Sequence, residues 1–568
     1  MKIDLDLDLD LDLRPRTGGQ LIVDALRVHG VDTAFCVPGE SYLAVLDALY
    51  DAREDIKLVV ARQDGGASYM AEAWAKTTGR PGICFVTRGP GATNASIGVH
   101  TAYQDSTPMI LFIGQVGGDF VEREAFQEMD YRRMFGEMAK WVAQIDRADR
   151  IPEYVNHAFQ VATSGRPGPV VLALPEDMLI QLATVADTAP YQAVQAAPAP
   201  ADMERLRVAL QGAKRPLLML GGTVWTPEAC ADIARFAEAA GLPVSCAFRF
   251  QDLYDNRREH YIGDVGIGLN PKLAQRVRDA DLLLVVGARL GEMTTSGYTL
   301  LQSPRPKQRL IHVHAGAEEL GRVYQGELLI NSGMANFAAA VAQLKIDGGA
   351  WRDWLTAARA DYIGWNDKPA AIPGKLQMGE LIAWLRGRLP ADSILTTGAG
   401  NFSGFVQRYY RFTGLRTQVA PTNGSMGYGV PAGVAAKIAY PGRIVVSFNG
   451  DGDFLMNGQE IATAAQFGAN VIFVVINNSM YGTIRMHQER EYPERVHGTA
   501  LVNPDFAAFA RSFGLHGETV EETAQFAPAF ERALAAGKPA LIEVRIDPQA
   551  ITTSTTLDAI TTKAKQAR

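Results

Sequence analysis

Three times along this chain, short apolar runs rich in β-branched residues alternate with longer stretches of helical periodicity. Such runs lack polar alternation and must be covered on both faces, which calls for parallel strands buried under helices. The first block, about residues 17–185, offers TAFCVPG, KLVVARQ, GICFVTRG, PMILFIGQ and PVVLALP as strands. The second, about 200–345, offers PLLMLGG, LPVSCAF, DLLLVVGAR and RLIHVHAG. The third, about 370–550, offers SILTTGAG, RIVVSFNG, NVIFVVINN and ALIEVRI. TAPYQAVQAAPAPAD reads as an Ala- and Pro-rich linker, and NDKPAAIPGK opens the third block. The expected fold is α/β, with three doubly wound parallel-sheet domains. Residues 1–16 read as a disordered leader and 551–568 as a C-terminal tail.

A chain of 568 residues is too long for one core. With 55 basic against 62 acidic residues the net charge is −7, which argues against an electrostatic nucleic-acid binder. The longest apolar runs fall short of the roughly 20 residues that span a bilayer, and the Asp–Leu alternation of the leader is not a signal peptide's pattern. Cys36, Cys84, Cys230 and Cys246 lie far apart without a CxxC pair. They read as buried apolar residues of a reducing, cytoplasmic protein.

Chemistry gathers at the end of one apolar run, in SFNGDGDFLMNG. Asp451 lies there between Gly450 and Gly452, and Asn478 follows 27 residues later, after one helix and one strand. That spacing is a single βαβ unit, so both side chains reach the same sheet edge. One carboxylate and one amide oxygen, with a backbone carbonyl, suit Mg²⁺ that keeps phosphate oxygens as its other ligands. The two glycines let the backbone approach a diphosphate closely.

GDG followed by NN, together with TRGPGATN, AFQEMD, GRPGPVVLALPED, TTGAGN, GSMGYGVPAG and INNSMYGTIR, resembles the thiamine-diphosphate (ThDP) enzymes, on the acetohydroxyacid synthase (acetolactate synthase) branch. The likeness runs from about residue 17 to 555. It implies that Asp451, the side chain of Asn478 and the carbonyl of Met480 hold Mg²⁺. Ala399, Gly400, Asn401 and Ser479 then contact the diphosphate, and Tyr481, Gly482 and Ile484 complete the cofactor-binding run. Met426 matches the apolar wedge under the bent cofactor, and Gly424 the residue whose carbonyl accepts from its 4′-amino group. Asp453, grouped with the same run, reads as a first-turn acid or cap on the following helix.

The family's activating Glu, bonded to N1′ of the aminopyrimidine, is matched by Asp64 in ARQDGGASYMAE, one methylene shorter. Glu72, further along that helix, is expected to make a structural contact. Glu40 stands where the synthases carry a small residue, and His487 where they carry a Trp that shapes the acceptor pocket. Gln127, in REAFQEMD, is a candidate pocket residue, and Arg88 is a further charged departure. The implied activity is a lyase or carboligase on 2-oxo acids: decarboxylation followed by transfer to a second carbonyl. The alternatives are a 2-oxo acid decarboxylase, C–C cleavage of a diketone or 2-hydroxy compound, and a ThDP-binding regulatory subunit without catalysis. The resemblance also implies a homodimer or homotetramer with active sites between subunits. FAD, which the synthases carry in the middle block, is not expected, because GARLGEMTTSG lacks their charged continuation.

Overall fold

The computed structural model describes residues 14–567, so residues 1–13 of the stretch read as a leader lie outside it. The N-terminal domain holds β1 (Arg16–Thr17), β2 (Thr33–Cys36), β3 (Lys57–Val60), β4 (Gly82–Thr87), β5 (Met109–Gln115), β6 (Trp141–Gln144), β7 (Pro169–Pro175) and β8 (Leu182–Ala183). The central domain holds β9 (Pro216–Leu220), β10 (Val244–Cys246), β11 (Tyr261–Asp264), β12 (Leu282–Val286), β13 (Arg309–His314) and β14 (Leu328–Asn331). The C-terminal domain holds β15 (Ile394–Thr397), β16 (Gln418–Val419), β17 (Val445–Gly450), β18 (Ile472–Asn477), β19 (His516–Val520) and β20 (Ala540–Arg545).

Each domain contains one six-stranded parallel sheet, in the orders β3-β2-β4-β5-β7-β6, β11-β10-β9-β12-β13-β14 and β16-β15-β17-β18-β20-β19. The strands at the middle of each sheet are buried on both faces, as their uninterrupted apolar runs require. Buried apolar side chains of the two terminal domains merge into one core, running from Phe35 and Trp74 through Val430 and Val434 to Phe506. Across that junction Glu72 accepts hydrogen bonds from Tyr428 (2.5 Å) and Thr107 (2.8 Å), and pairs with Lys76 at 3.0 Å.

Arg16 and the segment 551–567 are more ordered than their sequence patterns suggest. Arg16, within the stretch read as a leader, is buried in β1 and forms ion pairs with Asp24 and Asp187, each at 2.9 Å. At the other end the helix Leu557–Gln566 packs Leu557 and Ile560 against Met480, Met486 and Ile551. The Ala- and Pro-rich linker has no regular structure but is pinned in place, Val194 N–H donating to Ser164 and Gly333 N–H to the carbonyl of Ala196. Among the described residues no helix is long and apolar enough to cross a membrane.

Candidate active site

A cleft of about 1260 Å³ opens between the C-terminal and central domains, with His100, Gln104, Asp105 and Arg166 of the N-terminal domain also lining it. Its wall is built by turns at the carboxyl ends of β15, β17 and β18, where open parallel sheets present their loops. Ala399, Gly400 and Asn401 follow β15, Gly450 ends β17, and Asp451, Gly452 and Asp453 continue from it. Asn478, Met480, Tyr481, Gly482 and Ile484 follow β18, while Gly424 and Met426 come from the turn after β16. His487 joins them, exposed on the helix Gly482–Glu491.

Asp451 is buried, and its partners are neutral amides: Gly452 N–H at 3.0 Å and the Asn503 side chain at 2.7 Å. Burial raises its carboxyl above the ordinary range, and these hydrogen bonds recover only part of the shift. Asn477 and Asn478 have separate tasks. The side-chain oxygen of Asn477 accepts from Asn503 (2.9 Å) and from Ser479 N–H (3.0 Å), and its amide donates to Glu543 at 2.7 Å. Asn478 faces the cleft instead. Met480 sits opposite Ala500 in an antiparallel bridge closed by Tyr481 N–H to Thr499 and Leu501 N–H to Ser479, which leaves its own carbonyl outside the bridge.

Ser479 departs from its expected place, and Gly450, Gly452 and Asp453 have neighbours that the sequence did not suggest. Ser479 does not line the cleft: its left-handed backbone (φ 56°) turns it toward Asn477. Gly450 and Gly452 make room for the chain's own rings, since a Cβ would lie 3.1 Å from Phe402 and 2.5 Å from Tyr481 respectively. Asp453 is a first-turn acid of the helix Asp451–Phe454, as expected, and it also has partners outside that helix. It is buried, and one oxygen accepts from Ala399 N–H (3.2 Å) and Gly427 N–H (2.8 Å). Asn503, which no pattern singled out, reaches Asp451 only because the Met480–Ala500 bridge folds its segment back.

The N-terminal candidates lie elsewhere, off this cleft wall. Asp64 opens the helix Asp64–Thr78 and is 8% exposed. Its Oδ2 accepts from Asn94 at 3.2 Å, while its Oδ1, against Gly91, is buried without a partner. Burial raises this carboxyl too, with Asn94 opposing the shift. Glu460 of the C-terminal domain steadies the turn before it by accepting from Arg62 N–H at 3.0 Å. Glu40 is exposed in a single turn of 3₁₀ helix. Gln127, half-buried, holds a left-handed φ of 64°, and its carbonyl accepts from Gly89 N–H. Arg88 ties that loop down, donating to the carbonyl of Phe126 (3.1 Å) and to Glu176 (2.8 Å).

Three family models match this chain in order: the thiamine pyrophosphate enzyme N-terminal TPP binding domain over residues 16–134, the central domain over 203–341 and the C-terminal TPP binding domain over 398–544. The acetolactate synthase isozyme 2 large subunit of Escherichia coli (strain K12) is 32% identical over 536 residues, covering 93% of this chain and 95% of that protein. This chain belongs to the thiamine pyrophosphate enzymes. The acetolactate synthase large subunits of Parasynechococcus marenigrum (strain WH8102) and Lactococcus lactis subsp. lactis (strain IL1403) are 32% and 29% identical, covering 93% and 94% of this chain and 87% and 93% of those proteins.

Two observations fit this thiamine pyrophosphate enzyme to its cofactor. The orphaned Oδ1 of Asp64 lacks a donor, which a ring N–H supplies. Gly424, at φ 71°, has nothing within 4 Å of where a Cβ would stand, so the turn after β16 is open. Among the described residues no three His, Cys, Asp or Glu side chains cluster into a metal site, so a cation at Asp451 would take amide, carbonyl and phosphate oxygens as well.

Proposed function

We propose that this chain is a thiamine-diphosphate- and Mg²⁺-dependent carboligase acting on 2-oxo acids, one of which is decarboxylated and its remaining fragment transferred to a second carbonyl. The likeness to an acetolactate synthase over 93% of the chain carries this reading. Asp451, the Asn478 side chain and the Met480 carbonyl would hold Mg²⁺, with Ala399, Gly400 and Asn401 at the diphosphate and Met426 as the wedge. Bound thiamine diphosphate supplies the carbon that takes up the electron pair left when CO₂ departs. Asp64 would bond N1′ through Oδ1 and stabilise its protonated form, and Glu40, Gln127 and His487 would give the substrate polar surroundings. The reaction involves no net oxidation, so a flavin bound to the chain would take no redox part in it.

Asp64, Glu40 and Gln127 do not share a wall with Asp451 in one chain, which supports an active site completed by a second copy in a dimer or tetramer. Exposed Leu43 and Phe126, the latter at 71%, flank Glu40 and Gln127, and exposed Leu455 and Met456 follow the GDGD turn, as an interface requires. Four unpaired cysteines support a cytoplasmic setting. Incubation with ThDP, Mg²⁺ and a panel of 2-oxo acids, following CO₂ and coupled products, tests the function. A coupled 2-hydroxy product is expected. CO₂ with only an aldehyde would make it a decarboxylase, and turnover of none would refute the proposal.

A further inference from the structure

Arg249, in the loop after β10, combines a left-handed backbone (φ 64°) with burial in the cleft wall. A non-glycine residue holds that conformation at a cost, so its surroundings must favour it. The guanidinium crosses from the central into the C-terminal domain. It donates to the carbonyl of Pro421, to the carbonyl of Gly398 at 3.1 Å and to the Ser403 hydroxyl at 3.4 Å. Gly398 and Pro421 begin the two segments, 398–401 and 421–427, that carry Ala399, Gly400, Asn401, Gly424 and Met426.

Asp453 grips the same two segments with the opposite polarity, through the N–H groups of Ala399 and Gly427. Its second oxygen is wedged so close to Gly398 that a Cβ there would lie 1.9 Å away. Burial draws the Arg249 guanidinium down to about 10, and the charges of Asp105 and Asp453 oppose that shift. Arg249 Nε and Asp453 Oδ2 remain without hydrogen-bond partners. A buried donor and a buried acceptor thus hold carbonyls and amides of one pair of loops.

We propose that Arg249 and Asp453 are paired positioning residues that fix the spacing of the two loops at the diphosphate end of the cleft, so that the central domain governs cofactor affinity through those loops. The proposal rests on the ThDP reading above. Ordinary interdomain packing would give a different result: lost stability with unchanged affinity of the folded fraction.

The test is calorimetric titration of ThDP, at saturating Mg²⁺, into the full-length protein, beside its melting temperature. Arg249→Met should weaken ThDP by about tenfold or more, the cost of freeing two buried carbonyls. Arg249→Lys should fall between that variant and wild type, because an ammonium cannot span both carbonyls as a planar fork does. Arg249→Met combined with Asp453→Asn should cost no more than the larger single effect, since either loss frees the same loops. An Arg249→Met protein that melts lower yet binds ThDP as wild type does would overturn the pairing, as would fully additive effects. If Arg249→Met does not fold, wild-type affinity in Arg249→Lys overturns it. Wild-type protein that binds no ThDP would instead refute the cofactor reading itself.

Discussion

Counted in chain order within each domain, the strands of both terminal sheets lie 2-1-3-4-6-5, so every loop of one domain has a counterpart in the other. After the first strand stand VPGE, with Glu40, and GAGN, with Ala399, Gly400 and Asn401. After the second stand ARQD, with Asp64, and APTNGSM, with Gly424 and Met426. The third and fourth carry TRGPG and VGG in one domain, and the GDGD and NSM turns in the other. The topology delivers loops to one edge, and their residues decide what that edge can bind. Backbone amides, one buried acid and a free amide side chain suit a diphosphate and its cation. A buried carboxylate with an unpartnered oxygen suits a ring N–H instead. The central sheet, ordered 3-2-1-4-5-6, has neither set and turns its own strand ends, with Gly222, Arg289 and His314, toward the same cleft.

Mixing two dead proteins is the sharpest way to break this comparison. Asp451→Ala should abolish ThDP binding, and Asp64→Asn should abolish turnover without abolishing binding. If the two edges meet only between chains, unfolding and refolding the two variants together should restore about a quarter of wild-type activity, from mixed dimers with one intact site. No recovery would place both edges in one chain. A smaller effect separates the roles of the two acids. Hydrogen–deuterium exchange at C2 of the bound cofactor should slow by about a hundredfold or more in Asp64→Asn and quicken in Asp64→Glu, which restores reach to a carboxylate now recessed against Gly91. Equal rates in wild type and Asp64→Asn would remove Asp64 from the chemistry.

The smallest effect concerns the central domain, whose buried acid–base groups serve stability. Burial holds the His312 imidazole down to about 4, with its Nε2 at 2.9 Å from the Ala288 carbonyl. A base whose folded value lies below its unfolded one contributes stability that is present above about pH 6.5 and lost as pH falls through about 4. The loss is at most about 3 kcal/mol. Thermal melts between pH 7 and 4 should therefore decline less steeply in His312→Asn than in wild type, and parallel curves would show that this imidazole is not buried neutral.

The strands legible in the sequence and those that were not differ in one physical respect. β6, β11, β14, β16 and β19, absent from the apolar pattern, all lie at sheet edges. An edge strand is covered on one side only, so its residues need not be uniformly apolar, as the alternating burial of β14 shows. In the same way Arg16 and the helix Leu557–Gln566 carry polar sequences whose order comes from partners far along the chain, Asp187 for the first and Glu489, through Thr561, for the second.

The sequence by itself determined the three parallel-sheet domains and the edge at which Asp451 and Asn478 meet, because apolar runs and βαβ spacing are local properties of the chain. Its resemblance to the family also matched Asp64 to a longer acid. Only the tertiary structure decided what surrounds those groups. Asp453 became a buried clamp because Ala399 and Gly427, 54 and 26 residues away, aim their N–H groups at it. Asn503 became a partner of Asp451 through an antiparallel bridge, and Arg249 a member of the cleft through a strained turn in another domain. Hydrogen-bond partners and desolvation are set by approach in space, and no spacing along the chain encodes them.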